Sequence, residues 1–273
     1  MRRLTWFNAT SLTLGFAFLY IPMIVVIIYS FNESRLVTVW GGFSTKWYGE
    51  LFQNEAFLDA AWVTFKVGFF SSIIATILGT MGAYVLVRGG RFFGRTLFSG
   101  MIYAPLVMPE VITGLSLLLL FISIGLDRGL FTIILAHATF SMCYVSVVVS
   151  SRLVSFDRSV EEAALDLGCT PFEAFRLVTL PIIAPAVISG WLLALTLSLD
   201  DLVIASFVAG PSATTLPIKV FSSIRLGVSP EINALSTILI GLVTIGTIIA
   251  SLTTKRAVMC RKRREEQMAE QAG

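Results

Sequence analysis

Three carboxylates stand where a charge is expensive. Glu110, Asp200 and Asp201 each sit inside or beside a long apolar run of this 273-residue chain. A carboxylate at the centre of a bilayer costs about 2.5–3.5 kcal/mol on insertion scales, so an acid retained there marks a pathway or a site by default. Counted as straight helix at 1.5 Å per residue, Glu110 and Asp200 lie roughly 20 and 27 Å from the start of their runs, in the outer half of a core about 30 Å thick. His137 enters its own run about 10 Å deep by the same count. Pro105 and Pro109 precede Glu110 and free backbone carbonyls, a break tolerated at membrane depth only where it is buried in protein or lines a cavity. Acids together with carbonyls suit a cation, and Tyr20, Trp47 and Tyr103 are the aromatics that could stack on the methylenes or ammonium ends of an amine. Each residue also has a structural reading. Asp200 and Asp201 suit the cap of a short helix, His137 is favoured as a satisfied structural histidine, and Trp40, Trp47 and Trp62 suit interfacial anchors.

A second group lies in the polar segment 152–181. Ser159-Val160-Glu161-Glu162 has the spacing of a capping box, and Thr170-Pro171-Phe172-Glu173 repeats it with proline at the first helical position. Val160, Ala163, Ala164 and Leu167 fall at i, i+3, i+4 and i+7, one apolar stripe, and Phe172, Phe175 and Val178 make another. Gly168 separates the two helices as a C-terminal cap, and Pro181 is expected to stop the second. A pair of short amphipathic helices needs something to bury against. Membrane headgroups are one partner. A soluble protein is the other, with Ala163 and Ala164 admitting a close approach and Glu161, Glu162 and Asp166 at the rim.

The elements that must position these residues are membrane helices. Hydrophobic residues make up 56% of the chain and charged residues only 14%, against about 25% in ordinary soluble domains, too few to cover a soluble surface of this size. That excludes a soluble enzyme, a nucleic-acid binder and a disordered chain. One histidine and three scattered cysteines leave no metal-type spacing. Six runs approach the roughly 20 residues a span requires: 12–29, 63–87, 97–121, 130–150, 182–208 and 232–252. The fifth is long for one span and is expected to bend or re-enter near the acids. Arg2 and Arg3 before the first run resemble a signal peptide, but that run is span-length with no cleavage site after it, so it reads as a retained helix. The segments on one side carry fourteen Lys and Arg against six on the other. The positive-inside rule then places both termini, the 152–181 loop and the basic tail 253–273 in the cytoplasm, as one domain of six spans.

The loop also carries a resemblance. Glu162-Ala163-Ala164, three residues, Gly168, nine residues, Val178 and Leu180-Pro181 is similar to the EAA loop of ABC importer permeases, E-A-A-x3-G-x9-I-x-L-P, with Val178 in the usual isoleucine position. Further stretches resemble the spermidine/putrescine type, most of all the second permease of the putrescine kind: 43–48, 105–115, 199–204, 214–217 with Gly210, and 225–235. The resemblance implies an all-α type I ABC importer permease fold in a bacterial inner membrane. It implies a homologous second permease as heterodimer partner, two cytoplasmic ATPase subunits docked on the EAA loop through Glu162, Ala163, Ala164 and Gly168, and a periplasmic polyamine-binding protein. ATP and Mg²⁺ then belong to the ATPase, since this chain has no G-x-x-x-x-G-K-[ST] loop. Importers of other cationic or amino-acid-like solutes share the EAA loop. A secondary transporter using the acids as an ion relay would leave the paired caps unexplained, and a membrane enzyme built on Asp200-Asp201 and Mg²⁺ lacks a second acidic motif.

Overall fold

The computed structural model describes residues 5–36, 39–226, 229–246 and 248; the basic tail from 251 lies outside them. Helices account for the elements in order: α1 (Trp6–Ser30), α2 (Lys46–Gln53), α3 (Glu55–Arg88), α4 (Arg95–Val107), α5 (Glu110–Ser123), α6 (Leu130–Ser155), α7 (Ser159–Asp166), α8 (Pro171–Ala174), α9 (Leu180–Asp200), α10 (Val203–Val208) and α11 (Leu216–Leu226). A twelfth helix, α12, runs Pro230–Gly246. The chain divides into two compact units, 1–54 with 223–273, and 55–222.

The second unit is organised by α3, α6 and α9. Ala75, Ala83, Val145, Val149, Leu153, Ile183 and Ala194 form one buried cluster among them. Small residues set the spacing. A Cβ added at Gly79 on α3 would come within 2.6 Å of the Met142 carbonyl and 2.8 Å of Val145 on α6, and one at Gly190 on α9 within 3.1 Å of the same valine. Close crossings at glycine are how helices associate in lipid, where apolar burial supplies little drive. A second cluster joins Val67, Phe121, Ile133, Ile134, Phe140, Ile204 and Val208 from α3, α5, α6 and α10.

In the first unit, α1 is an apolar helix with one buried residue, Ser30. Behind it a small polar knot forms. Asn32 is buried, accepts the Gly41 and Ser34 amides on its side-chain oxygen, and donates to the Val39 carbonyl at 2.8 Å. Ser30 and Tyr48 hydroxyls lie 2.8 Å apart, and Phe31 stacks on Phe43.

Four helices are long and apolar enough to cross a membrane: α1, α3, α6 and the continuous helix Pro171–Asp200. The fifth candidate departs from the expected span 97–121. Here α4 and α5 meet at 119°, so the proline-marked break is a sharp turn, and the straight-helix depth for Glu110 does not hold. Pro105 sits inside α4, whereas Pro109 immediately precedes α5. The expected sixth span, 232–252, overlaps α12, which among the described residues is an apolar helix shorter than a span; residues 249–252 lie outside them.

Two expectations for 152–181 are also corrected. Pro181 does not stop a helix. A π-helical turn at Phe175–Thr179 leads from α8 directly into α9, and the Leu180 amide bonds the Phe175 carbonyl. Proline lacks the N–H that an α-turn would need at 181 and its ring crowds the carbonyl four residues back; widening the preceding turn relieves both. Nor does Ser159 cap α7. Asp157 accepts the Ser159 amide at 3.0 Å, and the Ser159 amide and hydroxyl hold its carboxyl below the usual carboxylate range. Glu162 turns away to meet Arg158 at 3.0 Å.

Candidate functional site

The helix of span five ends at Asp200, and α10 restarts at Val203, so the break falls on the acids as the length of the run required. The two carboxylates then diverge. Asp201 turns inward. Its Oδ2 accepts the Ala205 amide at 2.7 Å and its Oδ1 the Ile204 amide at 3.3 Å, capping α10. The same Oδ2 lies 3.0 Å from Nε2 of buried His137 on α6. The other ring nitrogen, Nδ1, is 2.6 Å from the Ser198 hydroxyl, which accepts from the Ser71 hydroxyl of α3 at 3.0 Å. Four helices are thus tied by one buried chain of polar groups, Asp201–His137–Ser198–Ser71. His137 thus has a hydrogen-bonded Nδ1 and a buried Nε2 set against the Asp201 carboxylate, which holds the ring between α9 and the start of α10. Asp200, one residue earlier, remains exposed.

Glu110 is also exposed and opens α5, where a carboxylate is favoured by the helix dipole. One turn on, a Cβ at Gly114 would meet the Phe207 ring of α10 at 2.7 Å, so the helices that begin at Glu110 and just after Asp201 are packed together.

Of the three aromatics, Trp47 and Tyr20 belong to the first unit and Tyr103 to the second. Trp47 is buried in the first unit, donates its indole N–H to the Asn32 carbonyl at 2.6 Å, and has Lys46 Nζ 4.6 Å from its ring centre. Tyr20 is half-exposed on α1 beside Phe16. Tyr103 lines a cavity of about 520 Å³ with Arg95, Ser99 and Ser150, between α3, α4 and α6. Ser150 is thirteen residues beyond His137 on α6, so that cavity lies about 20 Å along the helix from the acids.

At that far end of α6 stand α7 and α8. Gly168 takes φ +94°, its amide bonds the Leu165 carbonyl at 2.9 Å and the Cys169 amide the Ala164 carbonyl at 3.1 Å, the paired bonds of a Schellman cap. The second capping box is complete: the Glu173 amide donates to the Thr170 hydroxyl, and the Thr170 amide donates back to Glu173 at 2.8 Å. That amide and the Thr170 hydroxyl hold the Glu173 carboxyl below its ordinary range.

The expected apolar stripe of α7 is present but faces outward. Ala164 is buried, whereas Val160, Ala163 and Leu167 are exposed, Leu167 almost fully at 88%. Glu162 and Asp166 share the exposed side, and Phe172 of α8 is 71% exposed beside an apolar groove formed with Met81, Tyr84, Val85, Pro171 and Phe175. Glu161, read from the sequence as a rim residue, is the inward one. Its Oε2 lies 2.8 Å from Arg88 Nε at the end of α3, and its Oε1 accepts the Thr179 hydroxyl at 2.7 Å. Arg88 and Thr179 were not singled out by sequence: the first counts only as a positive-inside charge, the second as one threonine before Leu-Pro. Ser71, one of the pair Ser71-Ser72, and Ser198 were not singled out either; hydroxyls within apolar runs were the available hint that His137 and Asp201 have partners there.

Known proteins give the family and the fold. The chain is 59% identical over 252 residues, 90% of each sequence, to the putrescine transport system permease protein PotI of Escherichia coli (strain K12). It is 43% identical over 244 residues to the spermidine/putrescine transport system permease protein PotC of the same strain, covering 89% of this chain and 92% of that one. Among solved structures it resembles a bacterial ABC transporter that imports the acidic polysaccharide alginate, with TM-score 0.69, 18% identity, and 90% of this chain and 94% of that chain covered. The inward-facing MetNI methionine ABC transporter gives TM-score 0.58 at 18% identity, over 79% of this chain and 99% of that one. The likeness shows a type I ABC permease fold. With residues 85–257 matching its profile, the chain belongs to the family of binding-protein-dependent transport system inner membrane components.

Proposed function

We propose that this chain is a permease subunit of an ATP-driven polyamine importer in a bacterial inner membrane, taking putrescine, spermidine or both. The observation that carries the coupled-importer reading is the capped α7–α8 pair, held from inside by Glu161 while Val160, Leu167 and Phe172 face outward uncovered. Exposed apolar residues rimmed by Glu162 and Asp166 on a rigid unit fit a protein groove. Under this reading the groove belongs to a cytoplasmic ATPase, which binds ATP and Mg²⁺, and Glu162, Ala163, Ala164 and Gly168 form the EAA contact. Two ATPase subunits, a homologous second permease and a periplasmic polyamine-binding protein complete the machine. Under this reading the six apolar runs cross the membrane, and the distribution of Lys and Arg puts both termini in the cytoplasm.

The relatives PotI and PotC support a polyamine as cargo. Among the acids, exposed Asp200 and Glu110 are the ones available to an ammonium group, because both oxygens of Asp201 are engaged within the chain. Tyr20 and Tyr103 are left as aromatics that a passing amine could touch, and Trp47 serves the fold. Binding of ATP closes the ATPases and turns the path outward; hydrolysis and release turn it inward.

The test is uptake of labelled putrescine and spermidine by cells lacking this chain, with and without its restoration. Energy-dependent uptake of either amine on restoration is the expected result, and no difference for both would overturn the polyamine assignment. Glu162→Lys should release the ATPase or uncouple it while the permease remains inserted; unchanged transport would overturn the docking role.

A further inference from the structure

One carboxylate ties the short helix α7 to the ends of two packed membrane helices, α3 and α9. Glu161 projects from the first turn of α7. Its Oε2 faces Arg88, the last residue of α3, at 2.8 Å, and its Oε1 accepts from Thr179, the last residue of the π-turn that feeds α9, at 2.7 Å. Arg88 adds a third tie. It donates to the Phe156 carbonyl, just past α6, at 3.2 Å, and its guanidinium stands 5.6 Å from the Phe156 ring centre. Thr179 is fully buried, and the Arg88 and Glu161 side chains are only about a tenth exposed.

Stability alone does not call for such a group. Replacing a buried ion pair by well-packed apolar residues is often neutral or stabilising, because both charges lose their hydration. An apolar contact, however, slides. A carboxylate ion-paired through one oxygen and hydrogen-bonded through the other resists sliding, and it ties α7 to both α3 and α9. Two features allow the linkage to move as a unit. A cavity of about 100 Å³, enough for a few waters, lies beside it, lined in part by Tyr84, Arg158, Leu165 and Ala174. The π-turn supplies a wide, re-registrable step at the entrance to α9.

We propose that the Arg88–Glu161–Thr179 linkage is the transmission between the α7–α8 unit and the membrane helices, with Glu161 its positioning residue. The inference rests on the reading of α7–α8 as the ATPase dock. Force applied to the outer face of α7 reaches the end of α3 through Arg88 and the start of α9 through Thr179. Glu162 and Asp166, on the outer face, take no part.

The experiment uses the complete importer in proteoliposomes, with putrescine as cargo, and measures uptake and ATP hydrolysis together, each normalised to the permease present. The variants are Glu161→Gln, which keeps volume and removes the charge, and Thr179→Val, which keeps the Arg88–Glu161 pair and removes one hydroxyl. The charge exchange Arg88→Glu with Glu161→Arg accompanies them. Glu161→Gln is expected to keep the ATPase bound and hydrolysing while putrescine moved per ATP falls about tenfold, within the usual range for coupling between sites. Thr179→Val is expected to fall less, and the charge exchange to recover part of the loss. Unchanged putrescine per ATP in both single variants would overturn the proposal. So would uptake and hydrolysis falling together in proportion to the folded permease. If the wild-type chain binds no ATPase, the docking reading itself fails; if every variant keeps its ATPase and its stoichiometry, only the linkage fails.

Discussion

Asp201 and Asp200 are adjacent carboxylates with opposite surroundings, and that contrast can be tested by removing one at a time. Asp201→Ala takes away the cap of α10, which costs about 1 kcal/mol. It also leaves His137 Nε2 buried without the partner now 3.0 Å away, a further cost of about 1–3 kcal/mol. The sum is about 2–4 kcal/mol, and for a chain of this size each kcal/mol lowers the melting temperature by roughly 2–4 °C. A fall of about 5–15 °C is therefore expected for detergent-solubilised Asp201→Ala, read as loss of the monodisperse peak after heating. Asp201→Asn should lose roughly half as much, since the amide oxygen still caps α10. His137→Ala combined with Asp201→Ala should cost less than the sum of the single changes, because the orphaned nitrogen is then gone; the shortfall is expected to exceed about 0.5 kcal/mol, the scatter found for independent sites. Asp200→Asn should leave the melting temperature alone and reduce amine uptake. An Asp201→Ala protein that melts with the wild type, or a strictly additive double variant, would refute the buried chain as the tie between α6 and α10.

Other perturbations address the loop and the helix crossings. Gly168→Ala forces a Cβ into the left-handed region and should destabilise the α7–α8 junction by about 1–2 kcal/mol, whereas Gly168→Asn should be milder; proteolysis of the loop in membranes orders the three proteins. Gly210→Ala drives its Cβ into the Arg128 carbonyl, so little folded protein is expected by size-exclusion chromatography of the solubilised chain. Gly79→Ala meets backbone at 2.6 Å and should cost about 1–3 kcal/mol, partly recovered when Val145 is cut to Ala in the same chain. The depressed Glu173 carboxyl implies a cap present at neutral pH and lost only as pH falls through its folded value, below the ordinary glutamate pKa of about 4.3; hydrogen exchange at the α8 amides, corrected for intrinsic rates, should stay flat from about pH 7 to 5.

Apolar run length was enough to find α1, α3, α6 and α9, because a helix in lipid must be long and must satisfy its own backbone. The break near Asp200 was legible for the same reason: the run exceeded one span. The 119° turn between α4 and α5 was not. Pro105 and Pro109 announce an interruption, but its angle is decided by what α5 packs against, which includes Ile204 and Phe207 from a distant segment. Pro181 misled in the opposite direction. Read alone it is a helix stop, yet a single widened turn before it lets α8 continue into α9, and no local pattern distinguishes the two outcomes.

The site was legible in composition and illegible in orientation. The periodicity of Val160, Ala163, Ala164 and Leu167 establishes that these residues share one stripe, and not which surface covers it. Within this chain only Ala164 of the four is buried, for a specific reason. The inward position is taken by Glu161, because Arg88 and Thr179 come from segments 73 and 18 residues away and together offer both carboxylate oxygens a partner. With the acid satisfied inside beside Ala164, the other three apolar residues are left exposed. The local pattern thus records which residues share a face and not against which surface, and the inward acid is what leaves Val160, Ala163 and Leu167 on the exposed side.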